Sequence, residues 1–592
     1  MDWTHELSDS LWWLLRTYLI SLVATAAVAL LLARTTRWGR QVARLAWPYF
    51  SPRRSLRPLL TLALIIFLAL FSVRMDVLFS YWYNGFYSAM QALDAKAFWY
   101  MLGVFCVLAT VHVLRALTDF YIRQSLLVRW RGHLTQVLID RWLAHQAYYR
   151  SHFVSDAIDN PDQRIQEDVQ SFVTSTLSLS MGLLAAVVSL TAFTQILWHL
   201  SGPLNIAGTE IPRAMVFVVY LYVIAATVIA MWIGRPLVRL NFLSERFNAT
   251  FRYALVRLRE YGESIAFFRG EAAERQVLHT RFGDVLSNMW AIIFRSLKFQ
   301  GFNLGINQIG VVFPFLIQAP RLLSKQITLG DVMQTSQAFG QVQDALSFLR
   351  MSYDEFASLR AVIDRLSGFA TTIELADALP AADLAEGSAL ALRDVSVRTP
   401  DGITLVDTLA LQLAPGDALL IRGRSGIGKT TLLRALAGLW PYVDGAVTRP
   451  LRDALFLPQK PYLPLGTLRA ALSYPAAMPA APEAAANVLR QCQLGHLAAR
   501  LDEEADWGRV LSLGEQQRLA VGRALLARPA IVFLDEASSA LDEGLEHTLY
   551  TLLRTALPDA VLVSVGHRSS LGAFHNHALT LLGEGRWQFE RG

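Results

Sequence analysis

Two cysteines in 592 residues, Cys106 and Cys492, exclude a disulfide framework and any cysteine-rich metal site. Cys106 lies in an apolar run and reads as a small core residue. Charge is scarce too. Asp, Glu, Lys and Arg make up 17% of the chain, against about a quarter in an ordinary soluble protein. The net charge of +6 comes from arginines beside apolar runs, not from a stripe on a soluble face, and this argues against a nucleic-acid partner. Residues 1–10 contain no Lys or Arg. The apolar run that follows therefore lacks the positive n-region of a signal peptide and reads as a retained helix.

What is present is apolar length. A bilayer takes about 20 apolar residues per helical crossing. Runs that reach this length fall at 11–33, 59–80, 97–117, 177–200, 214–234, 301–320 and, more weakly, 331–350. Arg34, Arg37, Arg40, Arg44, Arg53, Arg54 and Arg57 follow the first run. The bias of basic residues towards the cytoplasm puts that segment inside and the N-terminus outside. The stretches 121–175 and 235–300 are also basic, whereas 81–96, 201–213 and 321–330 are not. Seven spans then leave the chain inside after residue 350. The two long basic stretches read as helices that leave the bilayer and reach a soluble domain, or as solvated helical hairpins.

The chain divides into 1–50 (an extra N-terminal span and a basic elbow), 51–375 (a membrane domain), 376–389 (an Ala/Asp/Pro-rich linker) and 390–592 (a soluble α/β domain). In the last, the apolar strand DALLIRG (417–423) runs into GRSGIGKTT (423–431). Strand, glycine-rich loop and helix are the context a phosphate-binding loop needs. Gly423, Arg424, Ser425, Gly426 and Gly428 form the loop whose N–H groups face phosphate oxygens. Lys429 reaches the β- and γ-phosphates, while Thr430 offers a hydroxyl to Mg²⁺, with Thr431 beside it. The strand IVFL (531–534) ends in Asp535 and Glu536. Acids at the carboxyl end of a parallel strand lie where such sheets bind ligands. Asp535 is the second metal candidate, and Glu536 the base that polarises water.

Over 390–592 the chain resembles the ATP-binding cassette (ABC) family. LFLPQKPYLP (455–464) looks like the Q-loop, with Gln459 sensing Mg²⁺ and water. LSLGEQQR (511–518) looks like the signature, in which Ser512, Gly514 and Glu515 meet an ATP held by another subunit. SALD (539–542) looks like the D-loop, ending in Asp542. VSVGHR (563–568) looks like the switch, with His567 holding the γ-phosphate. The signature departs from its commonest form at Leu513 and Glu515. Thr399 stands where an adenine-stacking aromatic is usual, or serves as a turn residue before Pro400. Upstream, YWYNGFYSAMQ (81–91), LLVRWRGHLT (126–135), IDNPDQRIQEDV (158–169) and REYGESIAFFRGEAAE (259–274) resemble the SbmA/BacA-type membrane domain and, more distantly, peroxisomal acyl-CoA half-transporters. The resemblance implies an all-α transmembrane bundle of exporter type, six helices plus one extra, followed by an α/β P-loop ABC nucleotide-binding domain. It also implies ATP and Mg as ligands, a bacterial inner membrane, and uptake of a cobalamin- or peptide-like cargo. Glu263 and Glu271 then fall in a region of contact with the ATPase, or on a solvated helix face.

Polar residues inside spans are costly and face a cavity or a partner. Gln334, Gln337 and Gln341 share one helix face, extended by Asp344; Asn303 and Asn307 are one turn apart, with Gln308 beside them. These amides predict a water-filled cavity for a hydrophilic or amphiphilic cargo, or hydrogen bonds between helices. Arg115 and Asp119, at i and i+4, read as an end-of-span ion pair. One phosphate loop and one signature face opposite sides of a shared ATP, so the expectation is a homodimer in the lipid bilayer with two ATP sites. An ATP-gated pore or sensor, or a lipid-type exporter, is the competing reading.

Overall fold

The computed structural model describes residues 3–154, 160–202, 204–206, 209–211, 213–380, 382–476 and 478–591. Ile158 and Asp159 of the quoted 158–169 motif, and Ala381 of the 376–389 segment, lie outside them. The chain forms two compact units, one of Met1–Asp140 with Asp159–Ala370 and the other of Arg141–Ile158 with Thr371–Gly592.

The first unit is helical. Its long elements are α1 (Trp3–Thr35), α2 (Arg37–Phe50), α3 (Arg57–Ala92), α4 (Ala95–Leu143), α5 (Val169–Leu200), α6 (Ala214–Glu260), α7 (Glu271–Leu323), α8 (Leu329–Met351) and α9 (Tyr353–Asp377). Among the described residues, six helices are long and apolar enough to cross a membrane. The seventh expected span, 331–350, is the helix α8, too polar for that count. It is an inner helix, with Ala338, Phe339 and Val342 buried against Phe193 and Leu197 of α5 and Val219 of α6. Thr328 and Asp331 cap it reciprocally, a box that stabilises a helix start by about 1 kcal/mol.

Helix α1 is tied to the bundle by Arg74 of α3, whose guanidinium meets Glu6 and donates to Ser10 Oγ at 3.0 Å. Asp168 is buried between Arg164 (3.0 Å) and Arg365 of α9 (2.5 Å). Cys106 is exposed on α4 instead of filling a core, because this stretch of α4 turns its apolar residues outward.

In the second unit the segment 376–389 is not a bare linker. Helix α9 runs through Asp377, and β1 (Asp383–Glu386) pairs in parallel with a later strand, Val443–Arg449. The tip of the first basic stretch also belongs to this unit. Phe153 packs edge-on against Trp440 at 5.1 Å, and Arg150 donates to the carbonyl of Pro380 at 3.1 Å.

The remaining longer strands are β2 (Leu390–Arg398), β3 (Thr404–Leu413), β4 (Ala418–Arg422), β5 (Val443–Arg449), β6 (Ala454–Leu457), β7 (Ile531–Asp535), β8 (Val561–Val565), β9 (His577–Gly583) and β10 (Arg586–Arg591). One sheet has the order β10-β9-β4-β8-β7-β6 and a second β1-β5-β2-β3, while the two-residue strands Gly466–Thr467 and Glu504–Ala505 pair with each other. In the first, β9, β4, β8, β7 and β6 run parallel. Strands β4, β7 and β8 are apolar except for Arg422, Asp535 and Ser564, because both faces are covered. Helices α10 (Lys429–Ala437), α11 (Leu468–Ser473), α12 (Pro482–Gln491), α13 (Leu513–Ala527) and α14 (Glu543–Ala556) complete the unit. Cys492 is enclosed between α12 and α13, and burial pushes its thiol up to about 12.

Candidate functional site

The sheet register sets the site. Ile421 of β4 pairs with Val565 of β8, and Val565 pairs with Asp535 of β7. Three strands therefore end level, and the loops that follow them meet at one edge. After β4 the chain turns through Gly423, Gly426 and Gly428, at φ of 144°, 78° and 108°. A side chain at Gly423 would also bring its Cβ within 2.9 Å of the Leu581 carbonyl oxygen. Glycine is thus required twice over. Gly428 caps α10, whose first N–H groups point into the loop.

Lys429 is buried, and its ammonium donates to the carbonyls of Gly423 and Arg424, both at 3.0 Å. Burial pulls its pKa down, against the pull of Glu536 and Asp535. Arg424 and Ser425 are exposed at the loop's outer edge, and Thr431 is half-buried behind it. The Thr430 hydroxyl donates to Asp535 Oδ1 at 3.0 Å. Burial raises the Asp535 carboxyl, with Glu536 adding to it and the Thr430 bond opposing. A hydroxyl and a carboxylate in contact, beside a lysine, form a hard oxygen donor set that suits Mg²⁺ next to phosphate.

Glu536 is the centre of the arrangement. One carboxylate oxygen lies 3.0 Å from His567 Nε2, and the other accepts from Gln459 Nε2 at 3.2 Å. Its backbone has φ 49°, a left-handed conformation unusual for a non-glycine residue. That turn aims the carboxylate away from the line of the strand, and strain of this kind gathers at functional sites. Gln459, Glu536 and His567 come from three separate loops, and the Thr430–Asp535 pair adjoins them.

Ser512, Glu515 and Asp542 make no hydrogen bond to that group among the described residues. Ser512 caps α13, and Glu515 accepts from both its N–H and its hydroxyl, at 2.9 and 2.8 Å. Burial would raise the Glu515 carboxyl, but the Ser512 bonds and His496 hold it below its usual value. This explains the acid in the unusual signature: it completes a capping box. Asp542 caps α14 by accepting from Leu545 N–H at 2.8 Å. Gly514 lies against the Ala540 carbonyl, where an added Cβ would come within 3.2 Å. Thr399 closes a turn, its hydroxyl accepting from Ile403 N–H at 3.1 Å.

One residue escaped the sequence reading. Gln517 is fully buried, donates to the Gln459 carbonyl at 2.8 Å and to Ser539 Oγ at 3.1 Å, and accepts from Ala540 N–H at 3.0 Å. It ties three of the motif segments together. Its only sequence signal was a second glutamine after Glu515.

The amides of the membrane unit divide. Gln334 accepts from Asn84 at 2.7 Å, Asn303 from Arg350 at 3.1 Å, and Asn307 from Gln343 at 3.2 Å. These three serve helix–helix bonding. Gln308 is exposed, and Gln337 has a buried amide oxygen without a partner. Gln341 lines a cavity. The expected Arg115–Asp119 pair does not form. Asp119 instead accepts from Arg123 at 2.8 Å, because an acid preceding a base by one turn is the favoured order on a helix. Arg115 donates to the Leu68 carbonyl at 3.3 Å.

Residues 45–323 match the family model of ABC transporter transmembrane region 2, and 406–539 match that of the ABC transporter domain. An uncharacterized ABC transporter ATP-binding protein of Haemophilus influenzae is 48% identical, over 99% of this chain and 100% of that one. The inner membrane ABC transporter ATP-binding protein YddA of Escherichia coli is 33% identical, over 88% and 93%. The structure of a bacterial Atm1-family ABC exporter with ATP bound superposes with a TM-score of 0.67 at 20% identity, over 91% of this chain and 95% of that chain. The last likeness is one of fold.

Proposed function

Because this chain belongs to the ABC transporter family, with its membrane region and ATPase on one polypeptide, we propose that two copies assemble into a homodimeric pump for a hydrophilic or amphiphilic solute, working in the direction of uptake. The chain is a multi-span half-transporter that hydrolyses ATP. The finer reading assigns its residues. Glu536 takes the proton of the attacking water. His567 holds the γ-phosphate, and Gln459 aligns the water beside Glu536. Lys429 exchanges its two loop carbonyls for phosphate oxygens, with the N–H groups of 423–431 around them. Thr430 and Asp535 would hold Mg²⁺, which supplies positive charge to the β- and γ-oxygens. Ser512 and Gly514 face the ATP of the second copy, and Glu515 and Asp542 keep the signature and the D-loop in shape.

The observation that carries the reading is the Gln459–Glu536–His567 group beside Thr430–Asp535. Ser512, Gly514 and Glu515 make no hydrogen bond to that group among the described residues, which supports completion by another chain. Phe267 and Phe268, at the tip of the second basic stretch, are 80% and 85% exposed, an apolar end suited to a partner. We place the chain in the bacterial inner membrane, N-terminus outside and ATPase inside, with 1–375 as membrane part and 390–592 as ATPase part.

In proteoliposomes, Glu536→Gln should lower hydrolysis about 10²–10⁴-fold while ATP still binds. A normal rate in that variant removes Glu536 as the base. Accumulation of solute against its gradient separates a pump from an ATP-gated pore, which only equilibrates. Failure of differently tagged copies to co-purify would exclude the dimer.

A further inference from the structure

The helices α3, α4, α5 and α8 of the membrane unit line an open cavity of about 530 Å³, within the range that holds small organic ligands, about 300–1,000 Å³. Of the amides expected to face a cavity, Gln341 lines this one, with Asp344 of the same helix face. Three carboxylates, Asp76, Asp119 and Asp344, and two guanidiniums, Arg115 and Arg123, line it. Asp76, Arg115 and Asp344 fall within the apolar runs 59–80, 97–117 and 331–350, where an ionisable side chain is expensive and marks a site or a pair.

The internal pairing leaves groups over. Asp119 and Arg123 neutralise each other at 2.8 Å. Among the described residues, Asp76 and Asp344 have no side-chain hydrogen bond or ion pair. Arg115 spends one nitrogen on the Leu68 carbonyl, and its Nε is buried without a partner. Two acceptor-only groups and one donor-only group thus share one cavity. Phe348 of α8 also lines it, packed so tightly on Gly182 of α5 that a Cβ there would come within 2.5 Å of the ring.

We propose that this cavity is a binding site for the transported solute, and that it takes a small organic molecule carrying an ammonium group next to an anionic group. Asp76 and Asp344 receive the ammonium, and Arg115 receives the carboxylate or phosphate. The net excess of one carboxylate favours a solute whose cationic end is obligatory. Neutral amides do not meet this demand, and an acyl chain leaves Asp76, Asp344 and Arg115 without a direct partner. The inference rests on the transporter reading above and names the chemistry of its cargo.

The test uses full-length protein in nanodiscs with trialanine as probe, alongside N-acetyl-trialanine, which lacks the ammonium, and trialanine amide, which lacks the carboxylate. Calorimetry should show saturable binding of trialanine. Acetylation should weaken it about ten- to a hundredfold, and amidation should weaken it less. Asp76→Asn and Asp344→Asn should weaken trialanine binding but not that of the acetylated probe, with size-exclusion profiles reporting on folding. The modified probes ask the same question of the unaltered protein. Equal binding of all three probes, or no binding, by a protein that still hydrolyses ATP overturns the cavity assignment alone. Binding of trialanine by a protein that cannot hydrolyse ATP sinks the pump reading and leaves the site.

Discussion

The two units bury their apolar residues against different things. In the ATPase unit, Leu419, Leu420 and Ile421 of β4, Val532 and Phe533 of β7, and Leu562 and Val563 of β8 are all 0–1% exposed. In the membrane unit, the helix starting at Ala95 buries only Leu108 of its apolar run 97–117, although that run is as apolar as a span requires. Water drives the first kind of burial. Lipid tails are as apolar as leucine, so an outward-facing Leu in a bilayer forfeits nothing. The ATPase unit is closed upon its own core; the membrane unit leaves an apolar surface for lipid.

Substitutions can break that contrast. Phe533 stacks on Phe456 at 4.2 Å inside the sheet. Phe533→Ala should destabilise the ATPase unit by about 3–5 kcal/mol, read as a fall in its unfolding midpoint in detergent. A loss below 1 kcal/mol would mean that this core is looser than its burial implies. Gln517→Ala should cost about 1–3 kcal/mol, because it strands the Ala540 N–H and two other polar groups. It should also slow hydrolysis while ATP binding persists, since the segment holding Gln459 loses its tie.

A smaller effect concerns pH. Burial alone would raise the Asp417 carboxyl, but bonds from Asn576 and the Ala414 N–H, with His577 nearby, hold it below its ordinary value. A group with a depressed native pKa gives stability that is present above its unfolded value and lost as pH falls through the native one. Asp417→Asn should therefore flatten the acid limb of the stability profile and leave its shape near neutrality unchanged. An unaltered acid limb would assign acid sensitivity to other groups. The smallest effect is the counterpart of Phe533: Leu114, 61% exposed on α4, should tolerate Ala within about 0.5 kcal/mol. A loss as large as that of Phe533→Ala would show that this surface is packed by protein.

Much of this was legible in the chain. The phosphate loop, the acid pair after IVFL and the switch histidine are local patterns, and their chemistry depends on residues adjacent in sequence. The membrane spans were legible because lipid selects for composition over a fixed length. Gln517 was not, because its partners come from 459, 539 and 540. Arg74 and Asp76 carry a stronger signal than the amides, because each is an ion in the middle of an apolar run. The Arg115–Asp119 pair misled because helical spacing offered Arg115 and Arg123 equally, and the packing of α4 on α3 gave Arg115 another acceptor. The linker misled because an Ala/Pro-rich composition does not reveal a strand that is completed by β5, over fifty residues later.

By itself the sequence determined that this is a membrane protein with an ATP-using domain, since apolar length and the phosphate loop each follow from contiguous residues. Only the tertiary structure decided that Glu536 sits between Gln459 and His567, that Asn303, Asn307 and Gln334 are spent on neighbouring helices, and that Asp76, Arg115 and Asp344 share one cavity. Those facts depend on which strands end level and which helices pack together, and no run of neighbouring residues encodes either.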